Sequence, residues 1–166
     1  MSALIELTAI SKSFGPVKVL KDVGFDVQPG EVHALLGENG AGKSTLSKIM
    51  AGVISADGGE MKVEGKAVRF ASPREAAAHG IATVYQELLL FPELTVAENI
   101  YLGNEKSRGG FIDWNETNLE AGKLLKKVGL RDNPITKAVD IGVGKQQLVE
   151  IAKALSKEVK ILILDE

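Results

Sequence analysis

The run Gly37-Glu38-Asn39-Gly40-Ala41-Gly42-Lys43-Ser44-Thr45 has the form G-x-x-x-x-G-K-[ST]. Such a loop turns tightly and points successive amide N–H groups at an anion, which is why glycines recur in it. The anion it suits is the phosphate chain of a nucleotide. Lys43 reaches the β- and γ-phosphates, and the Ser44 hydroxyl takes a coordination position on Mg²⁺. Val32-His33-Ala34-Leu35-Leu36 ahead of the loop predicts a buried strand, and Leu46 to Ala51 behind it predicts a helix stopped by Gly52. A strand passing through this loop into a helix, with the helix N-terminus facing the phosphates, points to an α/β P-loop fold.

The remaining elements split into a β-rich first part and a helical second part. Leu4 to Leu7 and Val23 to Val27 alternate as strands, and Gly59 to Val68 reads as a hairpin. Ser72 as N-cap, Pro73 at N1, Glu75 at N3 and Gly80 past the end mark a helix. Ile81 to Tyr85 predicts a short buried strand running into Gln86-Glu87. Thr95 with Glu98 forms a capping box for a helix from Val96 to Leu102, and Asp113 with Glu116 forms another for a helix to about Val128, stopped by Gly129. Residues 104–112 read as an exposed loop. From Gln146 to Leu155, helical spacing puts Leu148, Ile151, Ala152 and Leu155 on one face.

The last residues, Ile161-Leu162-Ile163-Leu164-Asp165-Glu166, have the form of a Walker B strand. Four apolar residues predict a strand buried on both faces, with Asp165 emerging at its carboxyl end, where open α/β sheets bind ligands. A carboxylate there holds Mg²⁺, and Glu166 beside it is suited to orient or deprotonate a water. With no cysteine among 166 residues, disulfides, thiolate metal sites and cysteine nucleophiles are excluded. A net charge of −2 argues against a nucleic-acid surface. His33 and His79 stand apart and read as structural. The first residues lack the basic start of a signal peptide, and no apolar run reaches membrane-spanning length.

Phe14 ahead of Gly15, Gln86 at a strand end, and the turn Asp140-Ile141-Gly142-Val143-Gly144-Lys145-Gln146-Gln147 before the Walker B strand occur in an order that resembles the nucleotide-binding domain of ABC-type ATPases. The resemblance covers essentially the whole chain. It implies an α/β P-loop fold with an antiparallel β subdomain (1–35 and 57–70), a P-loop core (36–56, 72–86 and 160–166) and an inserted helical subdomain (87–158). It implies ATP and Mg²⁺ as ligands, with the loop residues Gly37, Glu38, Asn39, Gly40, Ala41, Gly42, Lys43, Ser44 and Thr45 on the phosphates. Phe14 matches the adenine-stacking aromatic, although the residue also reads as simple core. Gln86 matches the glutamine that touches Mg²⁺ and the water, so that Ser44, Gln86 and Asp165 would form the metal set and Glu166, Gln86 and Lys43 the catalytic set. Residues Ile141, Gly142, Val143, Gly144 and Lys145 match the signature turn, which serves the ATP of a second ATPase domain.

Finer wording narrows the resemblance to the first ATPase half of bacterial monosaccharide importers. It is carried by Pro73-Arg74-Glu75-Ala76, by Gly80 to Glu87, by Leu94 to Gly103, by Gly110 to Trp114 and by Gln146 to Leu155. That likeness implies ATP hydrolysis coupled to sugar import. The partners would be permease subunits, a second ATPase domain in tandem or as a dimer, and indirectly an extracytoplasmic sugar-binding protein. The site would be the cytoplasmic face of the membrane, reached through the permease, with the chain itself soluble. Leu88 to Pro92 reads either as core or as the surface that meets the permease.

Two departures qualify this reading. The signature turn lacks the family's serine at Gly142 and carries Lys145 in place of glutamine. The chain also stops at Glu166, before the family's switch histidine and later strands. It therefore reads as a truncated piece with missing C-terminal strands and near-inactive hydrolysis. The alternatives are an ABC ATPase in a non-transport role, or a nucleotide-binding module with little or no hydrolysis.

Overall fold

The computed structural model describes residues 3–38, 40–85 and 88–165. It divides into two compact units, Met1–Thr83 with Lys160–Asp165, and Val84–Val159.

The first unit is built on a four-stranded antiparallel sheet. Its strands are β1 (Ile5–Phe14), β2 (Val17–Val27), β3 (Gly58–Val63) and β4 (Lys66–Val68), in the order β2-β1-β3-β4. Alternation along β1 buries Ile5 and Leu7, and a bulge then moves the next core position to Ile10. On β2 the partners of Leu7 and Ile10 are Phe25 and Val23, so β1 carries one extra residue there. Ala9 takes up the irregularity at a φ of 52°. Gly59 of β3 crosses so close to it that a Cβ would sit 2.5 Å from the Ala9 carbonyl oxygen. Under this sheet lies α1 (Lys43–Met50), which buries Leu46, Ile49 and Met50 at helical spacing. Each Ile or Leu withdrawn from water here contributes about 1.5–3 kcal/mol.

Ser72 caps α2 (Pro73–Ala78) by accepting the Glu75 N–H, and Gly80 follows the helix at a φ of 82°. The chain then enters β5 (Ile81–Val84), which pairs with β8 (Ile161–Leu164). β5 is less buried than its sequence predicts. Only Ile81 is fully inside, and Tyr85 is exposed beyond the strand.

Two further expectations fail in this unit. Residues 32–36 form no strand, and Val32 and Leu36 are 99% and 92% exposed. A strand of this kind takes its hydrogen bonds and its burial from flanking strands, and among the described residues none pairs with it. β8 is buried on one face only, with Ile161 and Ile163 inside and Leu164 59% exposed. The cause is the same: β5 is its one partner among the described residues.

In the second unit, three helices pack together: α3 (Val96–Tyr101), α4 (Trp114–Lys127) and α5 (Val143–Leu155). Ala97, Ala121 and Ala152 are completely buried, and their small side chains let the helices approach closely. The expected face of α5 is displaced. Val149 and Ala152 are the fully buried positions, and Leu148, Ile151 and Leu155 are half-buried. α5 meets both α3 and α4, so its apolar stripe is centred between two neighbours. The stretch 104–112 is exposed as expected but contains a short hairpin, β6 (Ser107–Arg108) with β7 (Phe111–Ile112). Among the described residues no helix is long and apolar enough to cross a membrane.

The Thr95–Glu98 capping box is complete. The Glu98 N–H donates to Thr95 Oγ1 at 3.2 Å, and the Thr95 N–H donates to Glu98 Oε2 at 2.7 Å. The Thr95 amide, and then its hydroxyl, hold the Glu98 carboxyl below its ordinary value of 4.5. Because the folded value is the lower one, this contribution is present in full above about pH 4.5 and fades as the pH falls through the folded value. Glu98→Gln is therefore expected to lower stability at pH 7 while reducing the loss between pH 5 and pH 3, measured by urea unfolding across that range.

Candidate functional site

Loop 37–45 joins an exposed segment to α1. Gly42 is the N-cap of α1 at a φ of 89°, a left-handed conformation that L side chains rarely adopt. Space excludes a side chain as well, since a Cβ on Gly42 would sit 2.7 Å from Leu20 Cδ2 and 3.3 Å from the Val19 carbonyl oxygen. The loop therefore rests directly on β2. No side chain caps α1, and the first bond within the helix runs from the Leu46 N–H to the Gly42 carbonyl. Among the described residues the Lys43, Ser44 and Thr45 amides have no backbone partner, and they stand at the end of the helix where its dipole favours negative charge. Lys43 curls back over the loop, and Nζ donates to the carbonyls of Gly37 at 2.7 Å and Glu38 at 3.0 Å. The ammonium is thus held at the centre of the turn. Ala41 closes the turn through its N–H to the Glu38 carbonyl, and Gly40 faces open space.

Asp165 comes from the far end of the chain. Ser44 Oγ donates to Asp165 Oδ1 at 3.2 Å across 121 residues of sequence. A hydroxyl and a carboxylate this close, beside the start of a helix, are the oxygen donors that a hard divalent cation selects. The residues present therefore fit Mg²⁺ at the edge of a phosphate site. Among the described residues no cluster of three His, Cys, Asp or Glu offers an all-protein metal site.

Phe14 ends β1 opposite Val17, and the residue is 49% exposed. Val19, which touches Gly42, lies two residues further along β2, about 7 Å of strand.

Ile141, Gly142, Val143, Gly144 and Lys145 lie in the second unit. Gly142 is the N-cap of α5, without a side-chain cap. Ile141 is buried, Val143 and Gly144 are exposed, and Lys145 Nζ pairs with Asp132 Oδ1 at 2.8 Å. The side-chain amide of Gln146 secures the turn from behind, donating to the carbonyls of Ala138 at 2.8 Å and Ile141 at 3.0 Å. Asn39, Gln86 and Glu166, three of the expected site residues, lie outside the described residues.

The segment that follows Gln86 is fixed by two buried polar side chains that the sequence reading passed over. The Leu89 N–H donates to Glu150 Oε1 at 3.0 Å, and the Phe91 N–H donates to Asn99 Oδ1 at 2.7 Å. The backbone is held while the Leu89 and Phe91 side chains remain exposed. A signal for Asn99 existed: it is a polar residue three positions after Val96 on the apolar face of a helix. His33 lies against Phe25 and pairs with Glu31, outside any strand, and His79 lies against Phe70.

A phosphate loop at a helix start, with a carboxylate brought to its serine, defines a P-loop nucleotide-binding site on an ABC ATPase fold. The chain belongs to the ABC transporter family, whose profile matches residues 20–166. It is 53% identical over 99% of its length to the xylose import ATP-binding protein XylG of Geobacillus kaustophilus (strain HTA426), covering 33% of that protein. It is 48% identical over 98% of its length to the ribose import ATP-binding protein RbsA of Halalkalibacterium halodurans, again covering 33%. Among solved structures it resembles a nucleotide-free ATP-binding cassette from an ABC transporter. That match has a TM-score of 0.84 and 30% identity, and covers 99% of this chain and 69% of the other. The chain spans about a third of the length of the curated relatives it matches.

Proposed function

We propose that this chain is the nucleotide-binding part of an ATPase that powers sugar import. The observation that carries the reading is the Ser44–Asp165 bond of 3.2 Å, which sets a carboxylate beside the phosphate loop. The phosphates lie on the amides of residues 43–45. Lys43 moves from the carbonyls of Gly37 and Glu38 to the phosphate oxygens, exchanging neutral acceptors for charged ones. Ser44, Asp165 and Gln86 hold Mg²⁺, which when bound neutralises charge on the β- and γ-phosphates. The base stacks on Phe14. Glu166 orients the water that attacks the γ-phosphate, so catalysis is positioning and charge stabilisation.

Residues 141–145 serve the ATP of a second ATPase domain. Gly142 brings no hydroxyl there, and Lys145 reaches a phosphate only by leaving Asp132. The held backbone and exposed side chains of Leu89 and Phe91 support an apolar surface for a permease subunit, and on this reading the protein works at the cytoplasmic face of the membrane. The xylose and ribose import relatives support a monosaccharide as cargo.

Co-expression of the full-length protein with its permease tests this. Co-purification, and ATP turnover stimulated by a sugar-loaded binding protein, are expected. Nucleotide binding with neither would favour an ABC ATPase outside transport.

A further inference from the structure

β1 puts Lys12 and Phe14 on the same side of the strand, two residues apart. Lys12 Nζ stands over the Phe14 ring, 5.6 Å from its centroid. Asp57, from the turn that leads into β3, fixes this arrangement. Its Oδ1 accepts from Lys12 Nζ at 2.7 Å, its Oδ2 accepts the Ser13 N–H at 2.7 Å, and its own N–H donates to the Ser11 carbonyl at 2.9 Å. The end of β1 is thus held at three points by one residue. The Lys12 side chain is only 15% exposed, whereas Phe14 itself is an exposed residue. The Lys12 ammonium, and then the Ser13 amide, hold the Asp57 carboxyl below its ordinary value, as a charge-assisted contact does.

We propose that Lys12, positioned by Asp57, is a determinant of base binding: it backs the Phe14 ring so that the opposite face receives the nucleobase. This rests on the reading that Phe14 stacks the base. Both a phenyl ring and a purine carry negative charge on their faces, which disfavours direct stacking. An ammonium behind the ring draws that charge away and also pins the ring's orientation. Lys12 therefore acts through Phe14 and need not touch the nucleotide. A role of this kind favours the base over the phosphates, and the two ends of the ligand can be tested separately.

The test is calorimetric titration of this chain with Mg·ATP and with Mg·tripolyphosphate, which has no base. Lys12→Met is expected to weaken ATP about two- to fivefold and to leave tripolyphosphate unchanged. It is expected to add nothing in a Phe14→Ala background. Lys12→Arg, which keeps a cation over the ring, is expected to retain ATP affinity, and unfolding midpoints check that each variant is folded. An equal loss for tripolyphosphate would overturn the proposal, because Lys12 would then be attracting phosphate. Unchanged or tighter ATP binding in Lys12→Met, with a clear loss in Phe14→Ala, would overturn it while leaving the stacking intact. Unchanged ATP binding in Phe14→Ala would remove the stacking itself, and the proposal with it.

Discussion

Replacing Lys43 by Ala is expected to weaken Mg·ATP binding by about a hundredfold or more. Nζ now makes two hydrogen bonds to loop carbonyls, at 2.7 and 3.0 Å. On ATP it would exchange them for phosphate oxygens, and each charge-assisted hydrogen bond contributes about 1.5–3 kcal/mol. Losing two such bonds corresponds to roughly two decades or more in affinity. Removal of the ammonium also frees the carbonyls of Gly37 and Glu38, so the loop loses the clamp that shapes it. Calorimetry reads the affinity, and an unfolding midpoint separates loss of ligand contacts from loss of the fold. A change below threefold would mean that the phosphates lie elsewhere.

Asn99→Ala is expected to be the most damaging substitution in the helical unit, by about 3 kcal/mol. Asn99 is completely buried. Its Oδ1 accepts the Phe91 N–H at 2.7 Å, and its Nδ2 faces the carbonyls of Phe91, Leu94 and Thr95 at 3.0, 3.3 and 3.0 Å. Truncation leaves the Phe91 and Leu94 groups without these partners and opens a cavity under α3. Asn99→Asp does not rescue, because it keeps the acceptor but loses the donors. A shift of roughly 6–12 °C in the melting temperature is the matching thermal readout for a domain of this size. A loss below 1 kcal/mol would mean that the segment after Gln86 is held by other contacts. Exchange of the Phe91 amide should accelerate in the same variant.

What could be read from the sequence was chemistry that acts over a few residues. Ser72 with Pro73, Thr95 with Glu98, and the stops at Gly80 and Gly129 formed where their patterns put them. Asp113 succeeded only in part. It caps α4 by accepting the Glu116 N–H, but its own N–H donates to the Lys106 carbonyl at 2.7 Å. Glu116 therefore has no donor to answer, and the box stays half made. Lys106, just ahead of the hairpin at 107–112, supplies that competing carbonyl, and nothing near Asp113 in sequence reveals it.

The features that escaped are those decided by neighbours. Val32 to Leu36 is apolar enough for a strand, but strand formation needs a ladder on its flanks. The phase of α5 depends on two helices packing against it, which periodicity cannot count. In the candidate site, the loop and the start of α1 were legible because glycine spacing dictates backbone shape. The approach of Asp165 to Ser44 was legible only through two separate motifs that each suit Mg²⁺, since no local rule joins residues so far apart. Asp57 on Lys12, Asp132 on Lys145 and Glu150 on the Leu89 amide went unseen for the same reason.

The central claim is that residues 37–45 with Asp165 hold the phosphates and metal of a nucleotide. Titration of the unaltered chain with ATP, with and without Mg²⁺, tests it most directly. The account predicts saturable binding at one site per chain, strengthened by Mg²⁺, with the Mg²⁺ dependence lost in Asp165→Asn. A folded chain that binds ATP equally well in the Asp165→Asn form and without Mg²⁺, or that does not bind it at all, would contradict the claim.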